Sequence, residues 1–139
     1  MNDKLDAALR ATNVVILSDD KSTGTTFRNV GFRNLEVFRT DLEIAQTAIS
    51  DEKCDLLVLE TIFDEEPTMA IIRSIRQGEY GENIFLPIIS LISDTDKKAI
   101  GANINAGADD VVIKPLSVKL IHDRIGGFMK RKIRYSVTP

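Results

Sequence analysis

Apolar runs of strand length alternate with amphipathic stretches of helix length from Asn13 to Lys130, which predicts an α/β domain, a doubly wound parallel sheet with helices on both faces. Two observations carry this. The run Asp55-Leu56-Leu57-Val58-Leu59-Glu60 sets four large aliphatics in succession between charges, which suits a central strand with no wet side. A helical stretch follows each such run, and a crossover helix must lie over the sheet it leaves, so the strands it joins run parallel.

The elements follow in order. Asn2 to Thr12 reads as a polar lead-in, a loose turn with Leu5 and Leu9 at helical spacing. Val14-Val15-Ile16-Leu17 is the first strand and ends in Ser18-Asp19-Asp20. Ser22 or Thr23 caps a helix to about Val30, and Gly31 stops it ahead of a second strand at Leu35 to Phe38. Thr40-Asp41-Leu42-Glu43 has the form of a capping box and opens a helix to about Ser50 that buries Leu42, Ala45 and Ile49. Past the central strand, the acidic loop Asp64-Glu65-Glu66-Pro67 leads into a helix carrying Ile71, Ile72 and Ile75 and stopping at Gly78; its acids suit the positive end of the helix dipole. Phe85 to Leu91 reads as the fourth strand, with Pro87 near its start, and Ser93 or Thr95 caps a fourth crossover helix ending at Gly107. Asp110 to Ile113 is the fifth strand, Pro115 breaks the chain, and Ser117 caps a last helix with Val118, Ile121, Ile125 and Phe128 on one face. Gly126-Gly127 inside that helix marks close packing, a bend or a weak helix end.

Composition narrows the function classes. With 139 residues, 43% of them hydrophobic, the chain has material for one core, so a single domain over 13–131 is expected, with a lead-in at 1–12 and a tail or the start of a linker at 132–139. A net charge of −3 gives no general attraction to nucleic acid or an anionic membrane. Lys130-Arg131-Lys132 with Arg134 reads as a solvated helix end or linker start, nucleic-acid contact being the lesser alternative. No apolar stretch is long enough for a membrane span and no leader precedes the domain, so a soluble cytoplasmic protein is expected. Cys54 is the only cysteine and sits just before a buried strand, which suits an inert structural thiol. His122 lies beside an apolar helix face without a second His or a Cys nearby, so it reads as a surface histidine.

Three strands deliver Asp19, Asp20, Glu60 and the ammonium of Lys114 to their C-terminal ends, the edge where open α/β sheets bind ligands. Three acids against one lysine call for a cation or a protonated carboxyl.

Ser18-Asp19-Asp20, the run Asp55 to Glu60, Pro87-Ile88-Ile89-Ser90-Leu91 and the segment Gly107-Ala108-Asp109-Asp110 to Lys114-Pro115, in this order and spacing, resemble the receiver domain of two-component response regulators over about Asn13 to Lys130. The resemblance implies a flavodoxin-like sheet of order 2-1-3-4-5. It sets Glu60 where the family has its phosphoacceptor aspartate, matches Asp19 and Asp20 to the acidic pair that holds magnesium, and matches Lys114 to the lysine that meets the phosphoryl oxygens. The switch positions depart from the pattern: Ile92 stands for a hydroxyl residue and Val111 for an aromatic one. Asp64 and Thr68 stand where a Pro and a Gly are usual in the loop after the acceptor. The pattern resembles a degenerate receiver, or pseudo-receiver.

In-line phosphoryl transfer depends on position, and glutamate is longer than aspartate by about 1.5 Å, where a displacement of about 1 Å costs on the order of a hundredfold in rate. Glu60 is therefore expected to be a poor acceptor that reaches into the phosphoryl volume and pairs with Lys114 in a fixed state. The expected function is a regulatory interaction module in phosphorelay-type signal transduction, not an enzyme; slow phosphoryl acceptance on Glu60 is the alternative and a magnesium-dependent phosphatase the outsider. The one cofactor implied is Mg2+, held weakly by Asp19, Asp20 and Glu60. The expected partner is a signalling protein, a histidine kinase or a second copy of the chain, met on the face of the fourth crossover helix, fifth strand and last helix. That face includes Ile100, Ile104, Val111 and Lys119, with core packing of the two isoleucines as the alternative.

Overall fold

In the computed structural model Leu56, Leu57, Val58 and Leu59 are all buried, so the central run has no wet side. The structure describes residues 3–39, 42–50, 54–60, 65–92 and 97–137, with no side-chain description at 42–45, 65–67, 97 and 128–137. The elements are α1 (Asp3–Ala11), β1 (Asn13–Leu17), α2 (Lys21–Val30), β2 (Asn34–Phe38), α3 (Leu42–Ser50), β3 (Leu56–Glu60), α4 (Glu65–Arg76), β4 (Ile88–Ile92), α5 (Lys97–Ala106), β5 (Asp110–Ile113) and α6 (Val118–Val137). All pairings are parallel and the strand order is β2-β1-β3-β4-β5. The order reverses between β1 and β3, which opens a crevice beyond their C-terminal ends.

Strand alternation divides the core between the two faces. Val14, Ile16, Val58, Ile89, Leu91 and Val112 meet Leu5 and Leu9 of α1, Phe27 and Val30 of α2, and Ile121 and Ile125 of α6. On the other face Val15, Leu57, Leu59 and Ile88 meet Ile49 of α3 and Ile71, Ile72 and Ile75 of α4. Ile92 and Val111 form a smaller cluster under Ala99 of α5. Burying each such aliphatic contributes about 1.5–3 kcal/mol over leaving it exposed, which is what holds the layers together.

The structure corrects several local expectations. The lead-in is a helix, because Leu5 and Leu9, four residues apart, both find the core, where Leu5 lies over Gly126 of α6. At Gly126-Gly127 the structure shows no close packing that requires glycine: a Cβ on Gly126 would make an ordinary contact and one on Gly127 would meet nothing within 4 Å. α2 is capped by Asp20 and not by Ser22 or Thr23, since the Asp20 carboxylate accepts from the Ser22 amide at 2.9 Å. Glu65 to Pro67 already belong to the first turn of α4, where a proline removes no helical hydrogen bond. β4 starts at Ile88, and Phe85 is 82% exposed in the preceding turn; Leu86 fills the core there instead. Val118, expected on the buried face of α6, is exposed at the start of the helix while Leu116 packs inward. α6 continues to Val137, so most of the expected tail is helical. Ser117 caps it as expected, accepting from the Leu120 amide at 3.0 Å. The capping box at Thr40-Asp41-Leu42-Glu43, the burial of Leu42 and Ala45, the caps at Ser93 or Thr95, Asp64, and the side chains of Phe128 and the basic cluster at 130–134 lie outside the described residues.

One arginine fixes the opposite end of the sheet. Arg76, the last residue of α4, donates to the carbonyls of Ile84 and Leu86 at 2.7 Å each, to the Gly107 carbonyl at 3.0 Å and to Asp109 at 2.9 Å. Asp109 also accepts from the Ile88 amide at 2.8 Å, so the same pair starts β4. Gly107 is required there on two counts: its φ is 121°, and a Cβ would come 2.8 Å from Arg76 Cγ. The Gly-Ala-Asp-Asp segment thus anchors the N-terminal side of the sheet and leaves the C-terminal edge to the acids.

Candidate functional site

Ser18, Glu60 and Lys114 stand where strands run out, and Asp20 and Thr23 stand at the start of α2 just beyond β1. The β1 ladder extends to Ser18, whose amide donates to Phe38 O at 3.0 Å, and the β5 ladder extends to Lys114, whose amide donates to Ile92 O at 2.8 Å. Glu60 ends β3 between them. The Lys114–Pro115 peptide is cis.

Lys114 Nζ lies 2.7 Å from Asp20 Oδ2 and 3.0 Å from Glu60 Oε1. The Glu60 side chain is only 2% exposed, and a carboxylate so buried needs compensation. It has it: Thr23 Oγ1 donates to Oε1 at 2.9 Å and Ser18 Oγ donates to Oε2 at 2.9 Å. Ser18 Oγ in turn accepts from the Asp20 amide at 3.0 Å. Asp20 is held on both oxygens, Oδ2 by Lys114 and Oδ1 by the amide and hydroxyl of Ser22 at 2.9 and 2.7 Å. The Lys114 ammonium, and after it Ser22, keeps the Asp20 carboxyl well below the usual carboxylate range. Burial works against the Lys114 ammonium, but its hydrogen bonds to Asp20 and Glu60 outweigh that and raise its pKa.

Of the four charged residues expected here, Asp20, Glu60 and Lys114 come together and Asp19 does not. Asp19 is exposed and makes none of these ion pairs, because neighbouring residues at a strand end point to opposite sides. The expected repulsion among three acids is thereby reduced to two acids sharing one ammonium, with the hydroxyls of Ser18 and Thr23 on Glu60 and that of Ser22 on Asp20. Ser18 and Thr23 are the residues sequence reasoning missed. The readable signal was Ser18, a hydroxyl directly following an aliphatic strand at the acidic edge.

The receiver pattern implies a magnesium ion at this edge, and these residues do not fit one as arranged. Each oxygen of Asp20 and Glu60 already accepts from a protein donor, Lys114 lies between the two carboxylates, and among the described residues no group of three His, Cys, Asp or Glu gathers to hold a metal. His122 is half-buried on α6. Cys54 is buried, and its thiol is pushed up to about 11, chiefly by burial, in keeping with an inert structural role.

Ile92 and Val111 are both buried, packed with Ala99, so Val111 is not on the outer surface where sequence reasoning set it. Ile100 is partly buried against that cluster, which is the core alternative, while Ile104 is 46% exposed on the same helix. Lys119 is exposed on α6 beside exposed Val118, and Ile113 at the end of β5 is exposed as well.

No protein-family model matches the sequence, and no curated protein matches it. Solved structures do. A response regulator from Thermotoga maritima superposes with a TM-score of 0.69 at 27% identity, covering 86% of this chain and 98% of that one. A two-component response regulator from Clostridium difficile gives 0.70 at 22% identity over 87% and 98%. The signal receiver domain of a LuxO repressor protein from Vibrio parahaemolyticus gives 0.72 at 17% identity over 92% and 98%. The fold and its strand order are those of response-regulator receiver domains. Among the described residues, no helix is long and apolar enough to cross a membrane.

Proposed function

We propose that this chain is a regulatory interaction module built on the receiver fold, a pseudo-receiver held in one state, whose output is the binding of a protein partner and not phosphoryl transfer. The observation that supports it most is the state of Glu60. Both oxygens of its carboxylate accept from neighbouring donors, and the side chain is closed off from solvent. A nucleophile must present a free oxygen in line with the leaving group, and the ammonium that would neutralise an incoming phosphoryl group is instead committed to Glu60 and Asp20. Position 60 therefore sets its carboxylate charge about one methylene further toward Lys114 than an aspartate would, into part of the volume a phosphoryl group would take, without the double charge and third oxygen of that group.

The partner face we assign to α5, β5 and α6. Exposed Ile104, Ile113 and Val118 lie on these elements along with Lys119 and the Arg124–Asp110 ion pair at 3.1 Å, and protein interfaces combine apolar and charged groups of this kind. A signalling protein, a histidine kinase or a second copy of the chain would meet it there.

Acetyl phosphate tests the reading. Incubation followed by intact-mass spectrometry is expected to leave the protein unmodified. A stoichiometric adduct that disappears in Glu60→Gln would overturn it and restore phosphoryl acceptance as the function.

A further inference from the structure

We infer that Lys114 supplies, from within the chain, the positive charge that a divalent cation would bring to this edge, so that the site takes no Mg2+ at all while Lys114 and the full length of Glu60 are both present. The inference deepens the proposed function and rests on its reading of Glu60 as a fixed partner of Lys114.

A bound Mg2+ needs near-octahedral oxygen donors at about 2.0–2.1 Å and gives up its waters reluctantly. The two carboxylates that could offer such oxygens direct one each, Asp20 Oδ2 and Glu60 Oε1, at the same ammonium, at 2.7 and 3.0 Å. Lys114 Nζ holds the place between them. The other two oxygens are turned away, Asp20 Oδ1 to the start of α2 at Ser22 and Glu60 Oε2 to Ser18. Asp19, the remaining acid at this edge among the described residues, is exposed and outside the cluster. A divalent ion entering beside Lys114 would face a neighbouring positive charge with no oxygen of Asp20 or Glu60 unclaimed.

Two different single changes open the same space. Lys114→Met removes the ammonium and leaves Asp20 and Glu60 facing each other across its place. Glu60→Asp keeps the ammonium but withdraws the carboxylate from it by about one methylene, the displacement that governs positioning in such sites. Both variants are expected to gain a divalent-cation site that the parent chain lacks.

Paramagnetic Mn2+ reads this directly through broadening of amide NMR signals in the complete chain. In the parent protein, millimolar Mn2+ should broaden Asp20, Glu60 and Lys114 no more than exposed acids elsewhere, such as Glu79. In Lys114→Met and Glu60→Asp, broadening should concentrate around Ser18 to Thr23 and residue 60 and saturate at roughly tenfold lower Mn2+ or better. Selective, saturable broadening at Glu60 and Lys114 of the parent chain would overturn the inference. So would variants that bind no better than the parent, since Lys114 would then not be holding a cation's place. Should Lys114→Met fail to fold, Glu60→Asp and the parent measurement decide by themselves. Failure here is separate from failure of the proposed function: a parent chain that binds Mn2+ yet takes no phosphoryl group from acetyl phosphate rejects only the cation replacement.

Discussion

Asp20 serves two structures at once, and its charge is needed for only one of them. As the cap of α2 it accepts from the Ser22 amide, a task asparagine performs equally well; as a partner of Lys114 it must be ionised. Asp20→Asn thus removes the ion pair and keeps the cap. Because Lys114 and Ser22 depress the carboxyl in the folded protein, its contribution to stability is complete above the unfolded value of about 3.9 and is lost as pH falls through the lower folded value. The raised Lys114 acts in the opposite sense, contributing fully below its unfolded value of about 10.4 and losing that contribution as pH rises through the higher folded one. Urea unfolding of parent and Asp20→Asn should therefore differ by a constant amount from about pH 5 to pH 9, and the difference should begin to shrink below about pH 4 and go on shrinking as the pH falls further. A difference that widens on acidification would show that Asp20 acts through something other than Lys114. At this scale the site was legible in part. Glu60 and Lys114 end aliphatic runs and could be placed by that alone, whereas Ser18, Ser22 and Thr23 carry hydroxyls that serve helix caps and buried carboxylates equally well, and only the folded geometry divides the tasks among them.

The elements were readable where periodicity was strong and misread where a partner lay far away in the chain. Four aliphatics in a row announce β3, and isoleucines at helical spacing announce α4. α1 is nine residues with a polar surface, and nothing local shows that Leu5 will meet Gly126. Phe85 is apolar and adjoins a strand, so it reads as part of one; what excludes it is Arg76, which takes the carbonyls of Ile84 and Leu86 on either side and holds that stretch as a turn. Arg76 also ties α4 to the approach to β5 through Gly107 and Asp109, contacts 31 and 33 residues away in sequence. Arg76→Ala would strip the donor from three carbonyls and a carboxylate, and hydrogen bonds to a charged group are worth about 1.5–3 kcal/mol each before water replaces them, so a loss of about 3 kcal/mol in unfolding free energy is expected. Arg76→Lys should recover only part of it, because a single ammonium cannot span a fork of acceptors. Equal stability of Arg76→Lys and the parent in urea titrations would show that charge alone, and not the fork, holds this end of the sheet.

For the whole molecule, the question is whether an event at the acidic edge can reach α5, β5 and α6. Glu60→Asp poses it cleanly. The shorter carboxylate withdraws from Lys114, Ser18 and Thr23, and room opens for a phosphoryl group against the ammonium, so acetyl phosphate in a magnesium buffer is expected to modify the introduced aspartate, with acetate leaving. A ligand can shift an equilibrium only through contacts that differ between two states. Ile92, at the end of β4 next to Lys114, has no hydroxyl to follow the phosphoryl oxygens, and Val111 has no ring to relocate; both are already packed against Ala99 in one small cluster. Amide shifts on phosphorylation of the variant should accordingly be large at Asp20, position 60 and Lys114 and fade before Ile100 and Ile104. Large shifts at Ile100, Ile104 and Val111 would mean that α5 reseats on the sheet without the usual hydroxyl and aromatic, and that the parent chain's single state is imposed by Glu60 and not by the core beneath α5.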